Sequence, residues 1–102
     1  MKKIVIKMRM FIGDFAENKD IAKKLRIERI MPSLSKRDSV ILDFDGVNGA
    51  TQSFIHALLS DPIRELRDVA FDNLFYKNTN DDIREIISIV YRYMQESLSD
   101  DN

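Results

Sequence analysis

Two aspartates follow a short apolar run near the middle of the chain, where residues 42–47 read Leu-Asp-Phe-Asp-Gly-Val. Asp43 ends the run, and Asp45 begins a turn with Gly46. Carboxylates at this spacing could supply a nucleophile or ligands for Mg²⁺. The structural alternative is that Asp43 accepts hydrogen bonds from amides of its own loop, as in an Asx-turn. The two interpretations predict an enzyme and a non-catalytic loop, respectively.

The enzymatic interpretation depends on a resemblance. Residues 42–46 resemble the first motif of haloacid-dehalogenase-type phosphatases, which implies that Asp43 attacks phosphorus, that Asp45 handles the leaving group's proton, and that Mg²⁺ neutralises the phosphate. However, that motif normally opens the first strand of its domain, and the chain is too short for that family's core. The acidic pair Asp81 and Asp82 also lies at a predicted helix start instead of a strand end. We therefore predict that the protein is not an enzyme and keep a small Mg-dependent phosphatase as the alternative.

Length and composition limit the remaining classes. With 102 residues, 44% apolar and 32% charged, the chain is typical of a soluble globular protein, and we predict one domain over residues 1–98 with a frayed polar tail at 99–102. No apolar run is long enough to cross a membrane, and Lys7 and Arg9 interrupt the stretch that a signal peptide would need, so we expect a cytoplasmic protein. The lack of cysteine and the single His56 argue against thiolate and multi-histidine metal sites. We predict no cofactor and no metal.

Hydrophobic periodicity predicts the order βαβαβα. The predicted strands are residues 4–12, 39–44 and 69–75, and the helices begin near Asn18, Thr51 and Thr79. Pro32 should break or kink the first helix, Asp61-Pro62 should stop the second, and Thr79 with Asp82 resembles a capping box. Residues 39–44 form a nearly continuous apolar run, as expected for a strand buried on both faces. We therefore predict an α/β fold with a small, mostly parallel sheet and functional loops at the carboxyl ends of its strands.

Charge divides along the chain. Residues 1–37 hold eleven Lys/Arg and four Asp/Glu, whereas residues 38–102 hold five and thirteen. The basic segment from Lys19 to Arg37 has no aromatic residue for base stacking, and Asp20 and Glu28 dilute its charge, so we predict no nucleic-acid partner. Two explanations of the basic segment remain open: it forms a solvated helix face, or it contacts an acidic protein. The last helix has an apolar face widened by Ile89, Tyr91 and Tyr93, which leaves core packing and a homo-oligomer surface open.

The central motif is also similar to the STAS-like domains of unknown function, relatives of the STAS domains of anti-sigma-factor antagonists and sulphate transporters. The resemblance rests on residues 42–47 and on residues 51–54, Thr-Gln-Ser-Phe, followed by an apolar helix. Weaker matches at residues 13–15, 22–25 and 69–73 extend it to roughly residues 10–95. It implies a small α/β domain in bacterial signalling that binds a partner protein, such as an ATP-binding, kinase-type anti-sigma factor, through the loop and helix after the second strand.

The resemblance also implies a possible phosphorylation site. In anti-sigma-factor antagonists the partner kinase phosphorylates a Ser at the start of this helix, where free amides tolerate the phosphate and the added charge repels the partner. The usual Asp-Ser-Ser triplet falls on Thr51, Gln52 and Ser53, so the customary acceptor position is Gln52, which cannot be phosphorylated. Thr51 and Ser53 remain candidates, with N-capping as the alternative. The predicted partner-binding residues are Asp45, Asn48, Thr51, Gln52 and Ser53.

Overall fold

The computed structural model of the chain describes residues 2–99, with side chains described as far as Glu96. Its elements, in chain order, are β1 (Lys3–Lys7), α1 (Arg9–Ile12), β2 (Phe15–Ala16), α2 (Lys19–Leu25), a π-helical segment (Arg26–Ile30), α3 (Met31–Ser35), β3 (Ser39–Asp43), β4 (Gly49–Ala50), α4 (Gln52–Leu66), α5 (Asp68–Asn73), β5 (Leu74–Lys77) and α6 (Asp81–Ser99). The predicted tail therefore begins inside α6, and residues 100–102 lie outside the described part of the chain.

Three parallel strands form the main sheet in the order β1-β3-β5. A second, two-stranded ladder joins β2 to β4, also in parallel. This arrangement confirms the predicted α/β class with a small parallel sheet. No helix within residues 2–99 is long and apolar enough to span a membrane.

The helices cover one face of the main sheet. On that face Ile6, Val40, Leu42 and Leu74 are buried in a single apolar core with side chains from the helices. The helix α4 supplies a large share of the buried side chains: Phe54, Ile55, Leu58, Leu59, Ser60, Pro62 and Ile63. Burial of a large apolar side chain stabilises the fold by about 1.5–3 kcal/mol, so this layer dominates the energetics.

The prediction of a strand over residues 4–12 is wrong beyond Lys7. Met8 extends the ladder by one hydrogen bond, from its amide to the carbonyl oxygen of Asp43 (2.9 Å). Since β3 ends at Asp43, no partner is available for the following residues. The amides of Phe11 and Ile12 then donate to the Met8 carbonyl oxygen at 2.9 and 3.0 Å, and the chain turns into α1. The end of the neighbouring strand, not the apolar pattern, sets the end of β1.

The prediction of a strand over residues 69–75 is also only partly right. Residues 68–73 form α5, and the strand that pairs with β3 begins at Leu74, opposite Val40. Within α5, Ala70 is buried, and the Asn73 side-chain amide donates to the Val69 carbonyl oxygen at 3.0 Å. The apolar residues of this segment suit a short helix that packs against α3 and α4 as well as they suit a strand, and tertiary packing decides between the two.

Pro62 does not stop its helix as predicted, whereas the regular α-helix is interrupted just before Pro32, in line with the predicted break or kink. In α4, Pro62 lies inside the helix, which continues to Leu66 because Pro62 and Ile63 are both buried in the core. This burial offsets the roughly 3 kcal/mol that an internal proline costs a helix. Pro32 lies in the first turn of α3, where a missing amide proton is tolerated, and the irregularity falls just before it as the π-helical segment. The helix α2 begins beside Asn18 as predicted, and the Asn18 side chain caps it by accepting from the amides of Asp20 and Ile21.

Candidate functional site

Asp43 ends β3 with its carboxylate held by two donors. Its Oδ1 atom accepts from the Asp45 amide at 3.0 Å and from the Asn78 side-chain amide at 2.9 Å. The residue is only 8% exposed. The bond from Asp45 is the Asx-turn predicted as the structural alternative, which is thereby confirmed. The bond from Asn78 joins the carboxyl ends of β3 and β5, and sequence reasoning missed it because the two residues are far apart in the chain.

These donors also set the charge of Asp43. The hydrogen bond from Asn78, followed by the one from the Asp45 amide, lowers the pKa of the Asp43 carboxyl below its ordinary value of 3.8, against the opposing effect of burial. Lys77 and Lys7, its register neighbours on the two flanking strands, lower this pKa further. Asp43 is therefore an ionised carboxylate at neutral pH, engaged in hydrogen bonds that hold the loop.

The two aspartates of the motif line a concavity of about 380 Å³ together with Lys7, Arg9 and Met10. Within residues 2–99, no three His, Asp or Glu side chains lie close enough together to hold a metal ion. Asp81 and Asp82 are the first two residues of α6, so the acidic pair lies at a helix start, as predicted, and not at the end of a strand. The geometry offers no observation that favours the phosphatase alternative.

The loop after β3 needs glycine at its tight turn. Gly46 has a φ of +79°, and a Cβ atom there would lie 2.7 Å from the Cδ atom of Arg9. The buried Val47 closes this turn, donating from its amide to the Phe44 carbonyl oxygen at 2.9 Å. The side chain of Asp45 is left exposed at the tip of the turn.

The rest of the loop is anchored to the segment before α2. The Asn48 amide donates to the Asp14 carbonyl oxygen at 2.7 Å, and the Thr51 amide donates to the Ala16 carbonyl oxygen at 2.9 Å. Between these bonds β4 pairs with β2, where Gly49 packs closely against the Phe15 ring. The sequence predicted an unpaired loop here, since a two-residue ladder is too short to produce a periodic pattern.

Asn80 ties the same loop to α6. Its side-chain amide donates to the Asn48 carbonyl oxygen at 2.7 Å, and its Oδ1 atom accepts from the Ile83 amide at 2.9 Å. Asn80 therefore caps α6, and the predicted capping box of Thr79 with Asp82 is wrong. Asn is among the preferred capping residues, so the signal was present one position further along the chain.

Thr51 caps the start of α4. Its Oγ1 atom accepts from the Phe54 amide at 3.1 Å, which confirms N-capping as the role of this residue. The next two residues, Gln52 and Ser53, form the first turn of the helix with exposed side chains. Of the five predicted site residues, four are exposed and Thr51 is half-buried. Backbone hydrogen bonds from the amides of Val47, Asn48 and Thr51 hold the loop that carries them.

A groove of about 620 Å³ adjoins Gln52 and Ser53. Three helices contribute to it: Lys19 comes from α2, His56 from α4, and Val90 and Tyr93 from α6. The His56 and Tyr93 rings meet edge to face with centroids 6.2 Å apart, and Tyr93 is 59% exposed. Helical spacing could have placed His56 beside Gln52 and Ser53, but only the fold brings Lys19 and Tyr93 there.

Comparison with known proteins gives one match. A family model described as a STAS-like domain of unknown function matches residues 21–84. The match begins in α2, ends in α6 and contains all five predicted site residues, although it is narrower than the residues 10–95 expected from the motifs. No curated protein and no solved structure matches the chain.

Proposed function

The chain belongs to the family of STAS-like domains of unknown function, and from that premise we propose that it is a non-enzymatic, cytoplasmic regulatory domain that binds a partner protein. Its binding surface is the loop and helix start after β3, residues 45–53. The partner is an ATP-binding, kinase-type regulator of the kind that anti-sigma-factor antagonists bind. The observation that carries the proposal is the exposure of Asp45, Asn48, Gln52 and Ser53 on a backbone already held by hydrogen bonds.

The anchoring of this segment favours binding. Hydrogen bonds to Asp14, Ala16 and Asn80 hold its backbone before any partner arrives. A partner that docks there does not have to order the loop, and the associated loss of conformational entropy is avoided. The side chains offered are polar and uncommitted, which suits specific recognition.

The groove beside the segment supplies an anchoring position. Tyr93 is largely exposed there, and tyrosine is enriched among the residues that dominate binding energy at protein interfaces. Lys19 and His56 line the same groove and can meet acidic or polar groups of the partner. A docked side chain would thus contact α2, α4 and α6 at once.

Ser53 is the better candidate for regulation by phosphorylation. It is the second residue of α4, a 15-residue helix with no acidic residue in its first turn. A phosphate there would meet free amides and the positive end of the helix dipole, with Lys19 lining the same groove. The Thr51 hydroxyl, in contrast, already serves as the cap. Phosphorylation of Ser53 would place negative charge in the docking surface and release the partner.

Site-specific photo-cross-linking tests the binding surface. A photoreactive amino acid replaces Gln52 in one version of the full chain and Arg64, an exposed residue near the other end of the same helix, in the control. We expect a discrete ATP-binding protein to cross-link at position 52 and not at position 64. Its purified form should bind wild type at least tenfold more tightly than Gln52→Arg, and Arg64→Glu should bind like wild type. Equal cross-linking at both positions, or none, would overturn the proposal.

Phosphorylation is tested with the same purified partner and ATP. Intact mass should show one added phosphoryl group on wild type and none on Ser53→Ala. The matched control is Thr51→Asn, which keeps a good capping residue and should still be phosphorylated. A group that disappears in Thr51→Asn and persists in Ser53→Ala would place the acceptor at Thr51 and contradict the assignment.

A further inference from the structure

One face of the main sheet carries apolar side chains without a covering layer in residues 2–99. Val5, Ile41 and Phe75 are register partners on β1, β3 and β5, so they form a row across this face. Val5 is 43% exposed, Phe75 is 46% exposed, and Ile41 is half-buried. Their neighbours Ile6 and Leu42, one residue further along β1 and β3, point to the opposite, helix-covered face and are fully buried.

The strand sequences are those of a sheet covered on both sides. Each strand has three consecutive apolar residues: residues 4–6, 40–42 and 74–76. Such continuous runs are typical of parallel strands whose two faces are both packed, whereas a face in contact with water would alternate with polar residues. The sequence thus predicts two covering layers, and the described residues provide only one. A second molecule can supply the missing layer.

The charges on this face indicate what kind of molecule. Strand alternation places three lysines on the same face as the row. Lys3 precedes the row on β1, and Lys7 and Lys77 follow it on β1 and β5. Asp43 lies between Lys7 and Lys77, but the residue is only 8% exposed and its carboxylate accepts hydrogen bonds from Asn78 and Asp45. A second copy docked face to face would set lysines against lysines. An occupant with acidic residues beside its apolar ones would pair with them instead.

We propose that this open sheet face, formed by Lys3, Val5, Lys7, Ile41, Phe75 and Lys77, docks an amphipathic helix of a partner protein whose apolar stripe is flanked by Asp and Glu. A helix is the element that normally covers a parallel sheet, and its apolar stripe matches the row of Val5, Ile41 and Phe75. The surface shares no residue with the segment 45–53 or with the groove beside it, although Lys7 lines one concavity with Asp45. The two proposals can therefore fail independently.

Peptide binding to the isotope-labelled full chain tests this proposal by NMR. The probe is a synthetic helix-forming peptide of about five turns, roughly 18 residues, with a leucine stripe flanked by Glu. A control peptide has Lys at every Glu position. We expect the Glu peptide to shift the amides of Val5, Ile41 and Phe75, to bind more weakly as salt concentration rises, and to bind at least tenfold more tightly than the Lys peptide.

Matched variants locate the contact. The double variant Lys7→Glu/Lys77→Glu should weaken binding of the Glu peptide at least tenfold, whereas Lys23→Glu/Lys24→Glu on the exposed side of α2 should leave it unchanged. Phe75→Ser should weaken binding without unfolding the chain, because its side chain is half-exposed in the free protein. Absence of binding, equal binding of both peptides, or shifts confined to the helices would overturn the proposal. The proposal would also be overturned if the wild-type chain formed a dimer and Phe75→Ser abolished that dimer, because a second copy of the chain would then cover this face.

Discussion

The side-chain amide of Asn78 donates a 2.9 Å hydrogen bond to the Oδ1 atom of Asp43, and so joins the loop after β5 to the end of β3. Asn78 holds this position with a φ of +58°, in the left-handed region that Asn tolerates better than most residues. The pair fixes the carboxyl end of β3, where the loop that carries Asp45 and Asn48 begins. The aspartate that most resembles a catalytic nucleophile is therefore held as a structural acceptor.

The Asp43 contribution to stability should depend on pH. Since its pKa is lower in the folded chain than its ordinary 3.8, the carboxylate stabilises the fold above that pH, and the effect is lost as pH falls through the folded value. We expect Asp43→Asn to lower the free energy of unfolding by about 1 kcal/mol at neutral pH and by less at the lowest pH, below 3.8, at which the wild type still folds. Urea denaturation at the two pH values measures this difference. Equal losses at both would contradict it.

Replacing Asn78 separates its hydrogen bond from its backbone conformation. Asn78→Gly removes the donor to Asp43 but accepts a positive φ without strain, so it should cost about 1 kcal/mol. Asn78→Ala removes the same donor but, unlike Gly, keeps a Cβ atom in the left-handed region, which should cost about 1–2 kcal/mol more than Asn78→Gly. Thermal unfolding of the two variants gives the comparison. If Ala is as stable as Gly, the backbone at residue 78 does not need the left-handed conformation.

The two functions of Asn80 can also be separated. Asn80→Ala loses both the cap of α6 and the bond to the Asn48 carbonyl oxygen, and should destabilise the chain by about 1–2 kcal/mol. Asn80→Asp keeps a capping oxygen but has no donor for Asn48, so it should retain most of the helix stability. Hydrogen exchange should then show faster exchange of the Asn48 amide in both variants. Unchanged exchange in Asn80→Asp would show that the loop does not depend on this bond.

Thr51 and Ser53 should respond differently to the same substitution. Thr51→Ala removes the cap of α4 and should cost about 1 kcal/mol, whereas Thr51→Ser keeps the hydroxyl and should cost less. Ser53→Ala should change stability by less than about 0.5 kcal/mol, because the residue is exposed. Ser53→Asp should stabilise the free chain by about 0.3–1 kcal/mol at low salt through the helix dipole. Chemical denaturation measures all four, and a large loss in Ser53→Ala would indicate a structural role instead.

The hydroxyl groups of Tyr76 and Tyr91 form a hydrogen-bonded pair with their oxygens 2.6 Å apart. Burial raises the pKa of Tyr76 well above its ordinary value and raises that of Tyr91 to a lesser degree. Tyr91→Phe alone leaves the Tyr76 hydroxyl without this partner and should cost about 1–3 kcal/mol, whereas Tyr76→Phe/Tyr91→Phe should be closer to wild type. A double-mutant cycle by urea denaturation measures this coupling. Strictly additive losses would contradict it.

Local sequence predicted those features that neighbouring residues control. The apolar run of β3, the Asx-turn of Asp43 with Asp45, the cap that Thr51 provides and the turn at Gly46 each involve residues only a few positions apart. Propensity, turn chemistry and capping act over that range. The central motif, with its family resemblance, is encoded in the same local way, and the family match confirms it.

Tertiary structure decided the features that depend on distant partners. β1 stops at Lys7 because β3 offers no further pairing, residues 68–73 are helical because they pack against other helices, and α4 continues through Pro62 because the core buries it. The bond from Asn78 to Asp43 spans 35 residues, and the bond from Asn80 to Asn48 spans 32. A periodic pattern shows which residues are apolar, but it does not show which strand ends first or which side chain reaches across a loop. Those outcomes depend on the geometry of the folded chain.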